Sequence, residues 1–172
     1  RQMCIRDRGG ADLSAFYQGI DSSRPGRHPH LTALGHSYGS TTTGYALRQT
    51  PARVDDAVFF GSPGLSTYRA ADLHVPPGHL YNIEADRDPV ADTGGFGRDP
   101  NQLAGVDQLS ARPARAPDGT ELRASGVDTD YLAPSTTSRH NIAAVVAGLP
   151  EQCIHGPNSD LGDVARADLP LL

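Results

Sequence analysis

The decapeptide Leu31-Thr-Ala-Leu-Gly-His-Ser-Tyr-Gly-Ser40 restricts what this 172-residue chain can fold into more than any other stretch. Residues 31–34, entered from Pro29, read as a short apolar strand. Gly35-His-Ser-Tyr-Gly39 has the spacing G-x-S-x-G, and residues 40–49 read as a helix of small side chains. A strand that turns this sharply into a helix strains the backbone at its apex and holds the Ser37 hydroxyl out as a nucleophile. The flanking glycines are expected to let strand and helix approach without Cβ clashes. The Tyr38 N–H then lies at the positive end of the helix, where an oxyanion would form.

The rest of the chain continues the alternation. Ala57-Val-Phe-Phe60 is a second apolar strand, closed by Gly61-Ser-Pro-Gly64. A strand, a helix of 10–15 residues and a further strand is the pattern of a parallel α/β sheet (about that length by the usual rule). Residues 66–73 are compatible with a short helix. His79-Leu-Tyr-Asn-Ile-Glu84, entered through Pro76-Pro-Gly78, is the third strand. A weak helix is expected over residues 102–108 and a turn at Pro117-Asp-Gly119. Residues 121–127 are the candidate fourth strand. Residues 135–138 offer caps for a last helix that runs through Ala147 and stops at Gly148 and Pro150. Before the elbow, residues 12–20 read as the end of a helix. Thr41, Thr42 and Thr43 are poor helix formers, so the helix after Ser37 must be held by packing.

The third strand runs out into Ala85-Asp-Arg-Asp-Pro-Val-Ala-Asp92. Acidic residues just past the C-terminal end of a parallel strand lie on the ligand-binding edge of such sheets. A serine nucleophile needs an imidazole to take its proton and a carboxylate to orient that imidazole. Asp88 is the first choice for the carboxylate, because Pro89-Val90 would anchor a turn and leave it facing the site. Asp86 is second and Asp92 third.

Composition sets limits on function. The formal net charge is −5 with no basic run, which disfavours nucleic-acid binding. All 15 basic residues are arginine, a coding bias rather than a functional signal. No stretch has the length of a membrane span, and no secretory leader is visible, so a cytoplasmic location is the default expectation. Cys4 and Cys153 make no disulfide framework and lie at no metal-ligand spacing. His28 and His30 have no carboxylate near them in sequence and are expected to be exposed loop residues. The glycine-rich Thr93-Gly-Gly-Phe-Gly97 lacks the lysine and spacing of a phosphate loop. No metal or cofactor is expected. Arg1-Gln-Met-Cys-Ile-Arg-Asp-Arg8 fits nothing that follows and is set apart as a non-native lead. The expected organisation is a domain over residues 9–150 and a tail over 151–172.

Gly35-His-Ser-Tyr-Gly-Ser-Thr-Thr, Val58-Phe-Phe-Gly-Ser-Pro-Gly, Asp88-Pro-Val-Ala and Asn141-Ile-Ala-Ala-Val-Val-Ala-Gly occur in this order. Together they resemble a family of bacterial α/β hydrolases with a GHSYGS nucleophile motif, a domain of unknown function. The resemblance covers roughly residues 29–150. It implies the C-terminal portion of an α/β-hydrolase fold, with a mostly parallel sheet of about four strands flanked by helices. It implies a serine triad with Ser37 as nucleophile, Asp88 as acid and Tyr38 as one oxyanion donor. The substrate would be a small acyl compound: an ester, thioester or amide. The early strands of that fold and the loop giving the second oxyanion N–H are expected to be missing from the chain, which leaves a sheet edge open. The family's histidine is expected in a His-Ser-x-Tyr-like setting, and here that position reads Asp128-Thr-Asp-Tyr131. His140, at the start of the last helix, is the remaining candidate base. His36 is expected to point away from the elbow tip, and His74, His79 and His155 have no supporting context. The alternatives are a catalytically inactive binding domain and an acyltransferase using the same site.

Overall fold

A computed structural model describes residues 2–24, 26–86, 88–91 and 95–156, with side chains from Asp7 onward. Asp92 and the tail from residue 157, including Leu169-Pro-Leu-Leu172, lie outside the described residues.

The elements are α1 (Gln2–Ser22), β1 (Thr32–His36), α2 (Tyr38–Leu47), β2 (Asp56–Phe60), β3 (Leu80–Ile83), β4 (Asp107–Leu109), β5 (Ala114–Arg115), β6 (Glu121–Leu122) and α3 (Thr137–Val146). The first four strands form one all-parallel sheet in the order β1-β2-β3-β4. Every residue of β2 and β3 is buried, as expected for a parallel sheet covered on both faces. Ala57 and Phe59 of β2 face a core with Tyr17, Leu47, Leu65, Leu73 and Leu80. Val58 and Phe60 face a second core with Tyr81, Ile83, Leu109, Tyr131, Ile142 and Val145. Helices α1 and α2 cover the first face, and α3 covers the second.

Helix α1 runs through the lead set apart in the sequence and on to Ser22. Gly9 and Gly10 do not break it, because they are where it crosses α2. A Cβ on Gly10 would sit 2.4 Å from Cδ1 of Tyr45. Close helix approach offsets the roughly 1 kcal/mol that a helical glycine costs.

Helix α2 is held from outside, as its threonines require. Thr41 Oγ1 donates to the Gly64 carbonyl at 2.8 Å, and Ser40, Thr41, Thr43, Gly44, Ala46 and Leu47 are buried. The cap of α3 falls at Thr136, whose Oγ1 accepts from Arg139 N.

Two expectations are corrected. Residues 102–108 form no helix: a 3-10 turn (Pro100–Gln102) leads into β4, the fourth strand of the sheet. Residues 121–127 do not join that sheet. Only Glu121–Leu122 is a strand, and it pairs antiparallel with Ala114–Arg115 around the Pro117-Asp118-Gly119 turn. Strand β4 has one apolar residue, Leu109, and it is fully buried. The other ladder contacts are polar: Gln108 Nε2 donates to the Pro100 and Val106 carbonyls, and its Oε1 accepts from Asn82. A strand fixed by one leucine and a partly buried amide network carries no hydrophobic period. The chain beyond α3 returns to this strand, with Ser110 N donating to the Ile154 carbonyl and an antiparallel bridge between Leu109 and His155.

Candidate active site at the C-terminal sheet edge

Ser37 stands between β1 and α2 at φ 51° and ψ −131°. That region favours glycine and costs a side-chain-bearing residue about 1 to 3 kcal/mol. The strain is held by hydrogen bonds on both sides. Ser37 N donates to the Phe60 carbonyl at 3.0 Å, so the turn is fastened to the end of β2. The Ser37 carbonyl accepts from Ser40 N at 3.0 Å and from Ser40 Oγ at 2.6 Å. Ser40 Oγ also meets Ser62 Oγ at 2.6 Å. The Ser37 hydroxyl itself makes no hydrogen bond among the described residues. Replacing Ser37 with glycine should relieve the backbone strain and raise stability by about 1 kcal/mol, read as a higher urea midpoint.

The two motif glycines are not equivalent. A Cβ on Gly35 would lie 2.8 Å from the Ser40 Cα, so strand and helix touch there. A Cβ on Gly39 would meet nothing within 4 Å, which corrects the expectation that both glycines permit close approach. Tyr38 opens α2, so its N–H belongs to the N-terminal turn of the helix. Its ring meets Phe96 edge-on, with centroids 5.3 Å apart.

Asp88 is almost fully buried past the end of β3. Its Oδ1 accepts from Val90 N at 3.0 Å, the turn anticipated from Pro89-Val90. Its Oδ2 accepts from the Tyr131 hydroxyl at 2.7 Å, and that same hydroxyl accepts from Ala85 N at 2.8 Å. Burial first, then the Asp88 and Glu84 carboxylates, push the Tyr131 phenol far above its ordinary range, so it stays a neutral donor. Asp86, the second-choice acid, is in an ion pair with Arg112 at 3.1 Å.

His140 sits in the first turn of α3, where its Nε2 donates to the Gln152 carbonyl at 3.0 Å. This contact faces the Pro150–Gln152 turn, and no described one joins His140 to Ser37 or Asp88.

The structure brings other residues together at this edge. His36, directly before Ser37, stacks on Phe60 with centroids 5.0 Å apart. Its Nε2 donates to the Asp128 carbonyl at 2.7 Å and lies 3.0 Å from Asp128 Oδ1. The Nε2 proton points to the carbonyl, and Oδ1 is buried with no hydrogen bond among the described residues. Gly61 marks where the groups converge. A Cβ there would lie 2.9 Å from Tyr131 Cε2 and 3.0 Å from both Asp128 Oδ1 and Asp88 Oδ2. Only glycine leaves this space open, and its φ of 57° favours glycine as well. Neither His36 nor Tyr131 is a site candidate from the sequence alone. The His-Ser-x-Tyr-like pattern at Asp128-Thr-Asp-Tyr131 was the one signal for Tyr131.

His28 and His30 are exposed loop residues, as expected, but the fold gives them carboxylate partners. His30 Nε2 lies 2.6 Å from Asp56 Oδ2, and His79 Nδ1 lies 2.7 Å from Asp56 Oδ1. His28 Nδ1 is 3.2 Å from Asp21. The carboxylates absent from the local sequence arrive through the fold, at the edge of the sheet where β2 begins. Among the described residues, no group of three or more His, Cys, Asp or Glu is arranged to hold a metal, and no helix is long and apolar enough to cross a membrane. Burial, then the Asp107, Glu151 and Asp56 carboxylates, raise the Cys153 thiol to about 11. It is a poor nucleophile at neutral pH.

The comparisons with known proteins agree with this architecture. The sequence profile of a family described as alpha/beta hydrolase matches residues 5–97. An uncharacterized protein of Mycobacterium bovis and one of Mycobacterium tuberculosis are each 40% identical over 116 residues, which is 65% of this chain and 43% of theirs. A second uncharacterized protein of Mycobacterium tuberculosis is 37% identical over 84 residues, 48% of this chain and 13% of its own length. The chain thus spans less than half the length of these relatives. No solved structure matches. The family match covers more than half of the chain and includes the elbow, and the parallel sheet carries that elbow at its C-terminal edge: the chain belongs to the alpha/beta hydrolase family.

Proposed function

We propose that the chain carries the nucleophile of a serine hydrolase acting on a small acyl substrate, an ester, thioester or amide, with Ser37 as nucleophile and Asp88 as the acidic member of its site. The observation that carries this reading is the positive φ of Ser37 between a parallel strand and a helix. A strained serine hydroxyl at a helix N-terminus suits nucleophilic acyl chemistry, since the developing negative charge then meets the helix's positive end. Tyr38 N–H supplies one oxyanion donor in this scheme. No cofactor enters the scheme.

A fluorophosphonate probe tests it. Folded protein should be labelled on Ser37, and Ser37→Ala should reduce labelling to background with the circular dichroism spectrum unchanged. Labelling that survives Ser37→Ala would sink the assignment. A second reading, a binding domain without catalysis, is favoured by one observation: His140 is committed to the Gln152 carbonyl, and an aspartate stands at position 128. Folded protein that resists the probe at every pH would decide for it.

A further inference from the structure

The segment between α1 and β1 carries a group of cations that the site at the sheet's C-terminal edge does not use. Ser23, Arg24, Arg27, His28 and Pro29 line a concavity of about 500 Å³. Clefts that seat small ligands run from roughly 300 to 1,000 Å³. Pro29 leads into β1 from the end opposite Ser37, and strand residues rising about 3.3 Å each separate the two.

We infer that Arg24 and Arg27 form a binding site for a phosphate-type oxyanion, carried by a small molecule or by a lipid headgroup. The inference goes beyond the reading of Ser37 and stands without it. Three observations carry it. The first is spacing. The Arg24 carbonyl accepts from Arg27 N at 3.0 Å, and Gly26 has φ 75°. A hydrogen bond from residue i to i+3 keeps the two Cα atoms within about 7 Å. Arg24-Pro-Gly-Arg27 is also the residue pattern of a type II turn, so the two arginine stems are set side by side before any ligand arrives.

The second is availability. Neither guanidinium makes a hydrogen bond or an ion pair among the described residues. Asp21, the acidic residue of the same segment, meets His28 Nδ1 at 3.2 Å instead. Asp55 is held by Arg53, and Asp56 by His30 and His79. Elsewhere Arg69, Arg112, Arg115 and Arg123 each pair with a carboxylate, so two open guanidiniums in one concavity stand apart in a chain of net charge −5. The third is anchoring. Ser23 N donates to the Gly19 carbonyl at 3.0 Å and Ser23 Oγ to the Ile20 carbonyl at 2.8 Å, which fastens the loop to the end of α1.

A guanidinium fork matches two oxygens of one phosphate, and two adjacent forks suit a group that carries two negative charges. The lining is polar and charged apart from Pro29, which favours a small anion over an apolar ligand.

The test is phosphorus NMR titration of inorganic pyrophosphate with the folded chain in about 0.15 M NaCl, where loose surface charge is screened. The native chain should bind with a Kd of about 1 mM or tighter. Both arginines are exposed, so their variants are expected to keep the native circular dichroism spectrum. Arg24→Ala and Arg27→Ala should each weaken binding by about 10-fold or more. Arg24→Lys combined with Arg27→Lys keeps the charge, loses the forks and should also bind more weakly than the native chain. A second arm measures cosedimentation with phosphatidylcholine vesicles, with and without phosphatidic acid. Arginine-dependent binding of pyrophosphate supports the site with a soluble ligand. Arginine-dependent binding of the phosphatidic acid vesicles alone supports it with a lipid headgroup. If the arginines only neutralise the C-terminal carbonyls of α1, the alanine variants lower the urea midpoint and neither probe binds, which overturns the inference. Alanine or lysine variants that bind as the native chain does overturn it too.

Discussion

Gly44→Ala is expected to cost about 3 kcal/mol, at the upper end of what overpacking usually costs. The added methyl would lie 2.2 Å from the Leu65 carbonyl oxygen and 2.9 Å from its carbon. These are backbone atoms, so no side chain can rotate away. Relief requires α2 to lift off the 62–66 segment. That motion breaks Thr41 Oγ1 to Gly64 O and Arg48 Nη1 to Ser66 O, and it carries the Ser37 elbow away from β2. A urea midpoint that falls with an unchanged slope would show this as lost stability. Gly39→Ala is the contrast, because its methyl meets nothing within 4 Å in the same helix. It should gain up to about 1 kcal/mol from helix propensity. Equal behaviour of the two variants would refute the packing argument.

Tyr131→Phe is expected to cost about 3 kcal/mol by deleting one hydroxyl. That hydroxyl serves two buried groups at once, as donor to the Asp88 carboxylate and acceptor from Ala85 N. Phenylalanine keeps the ring against Phe60 and His36 and leaves Asp88 Oδ2 and Ala85 N without that partner. Asp88→Asn in the same background separates the two losses. Combined with Tyr131→Phe, it should cost less than the sum of the single changes, because both remove the same bond. Strict additivity in that cycle would mean the Tyr131–Asp88 bond carries no weight.

Much of the scaffold was legible because its signals are local. The elbow is written in five consecutive residues, and the apolar runs at Ala57-Val-Phe-Phe60 and Leu80-Tyr-Asn-Ile83 predict buried parallel strands without any tertiary knowledge. Strand β4 was not legible, since one leucine and a glutamine amide hold it. The proline-anchored turn that holds Asp88 was legible to within a short loop. The pairing of Asp86 with Arg112, 26 residues further on, was not. His140 has a good sequence position at the start of α3, yet its ring faces the turn that follows the helix.

By itself the sequence determined the strained serine, the order of strand and helix around it, and the carboxylate that follows β3. Each depends on backbone preferences of neighbouring residues: glycine spacing, apolar runs and a proline-anchored turn. The tertiary structure decided which side chains meet at the sheet edge. His36 and Asp128 are 92 residues apart, and Tyr131 and Asp88 are 43 apart. No local preference encodes such pairs; they exist because the sheet sets β1, β2 and β3 side by side and the packing of Tyr131 against Phe60 seats the 126–131 loop over their ends.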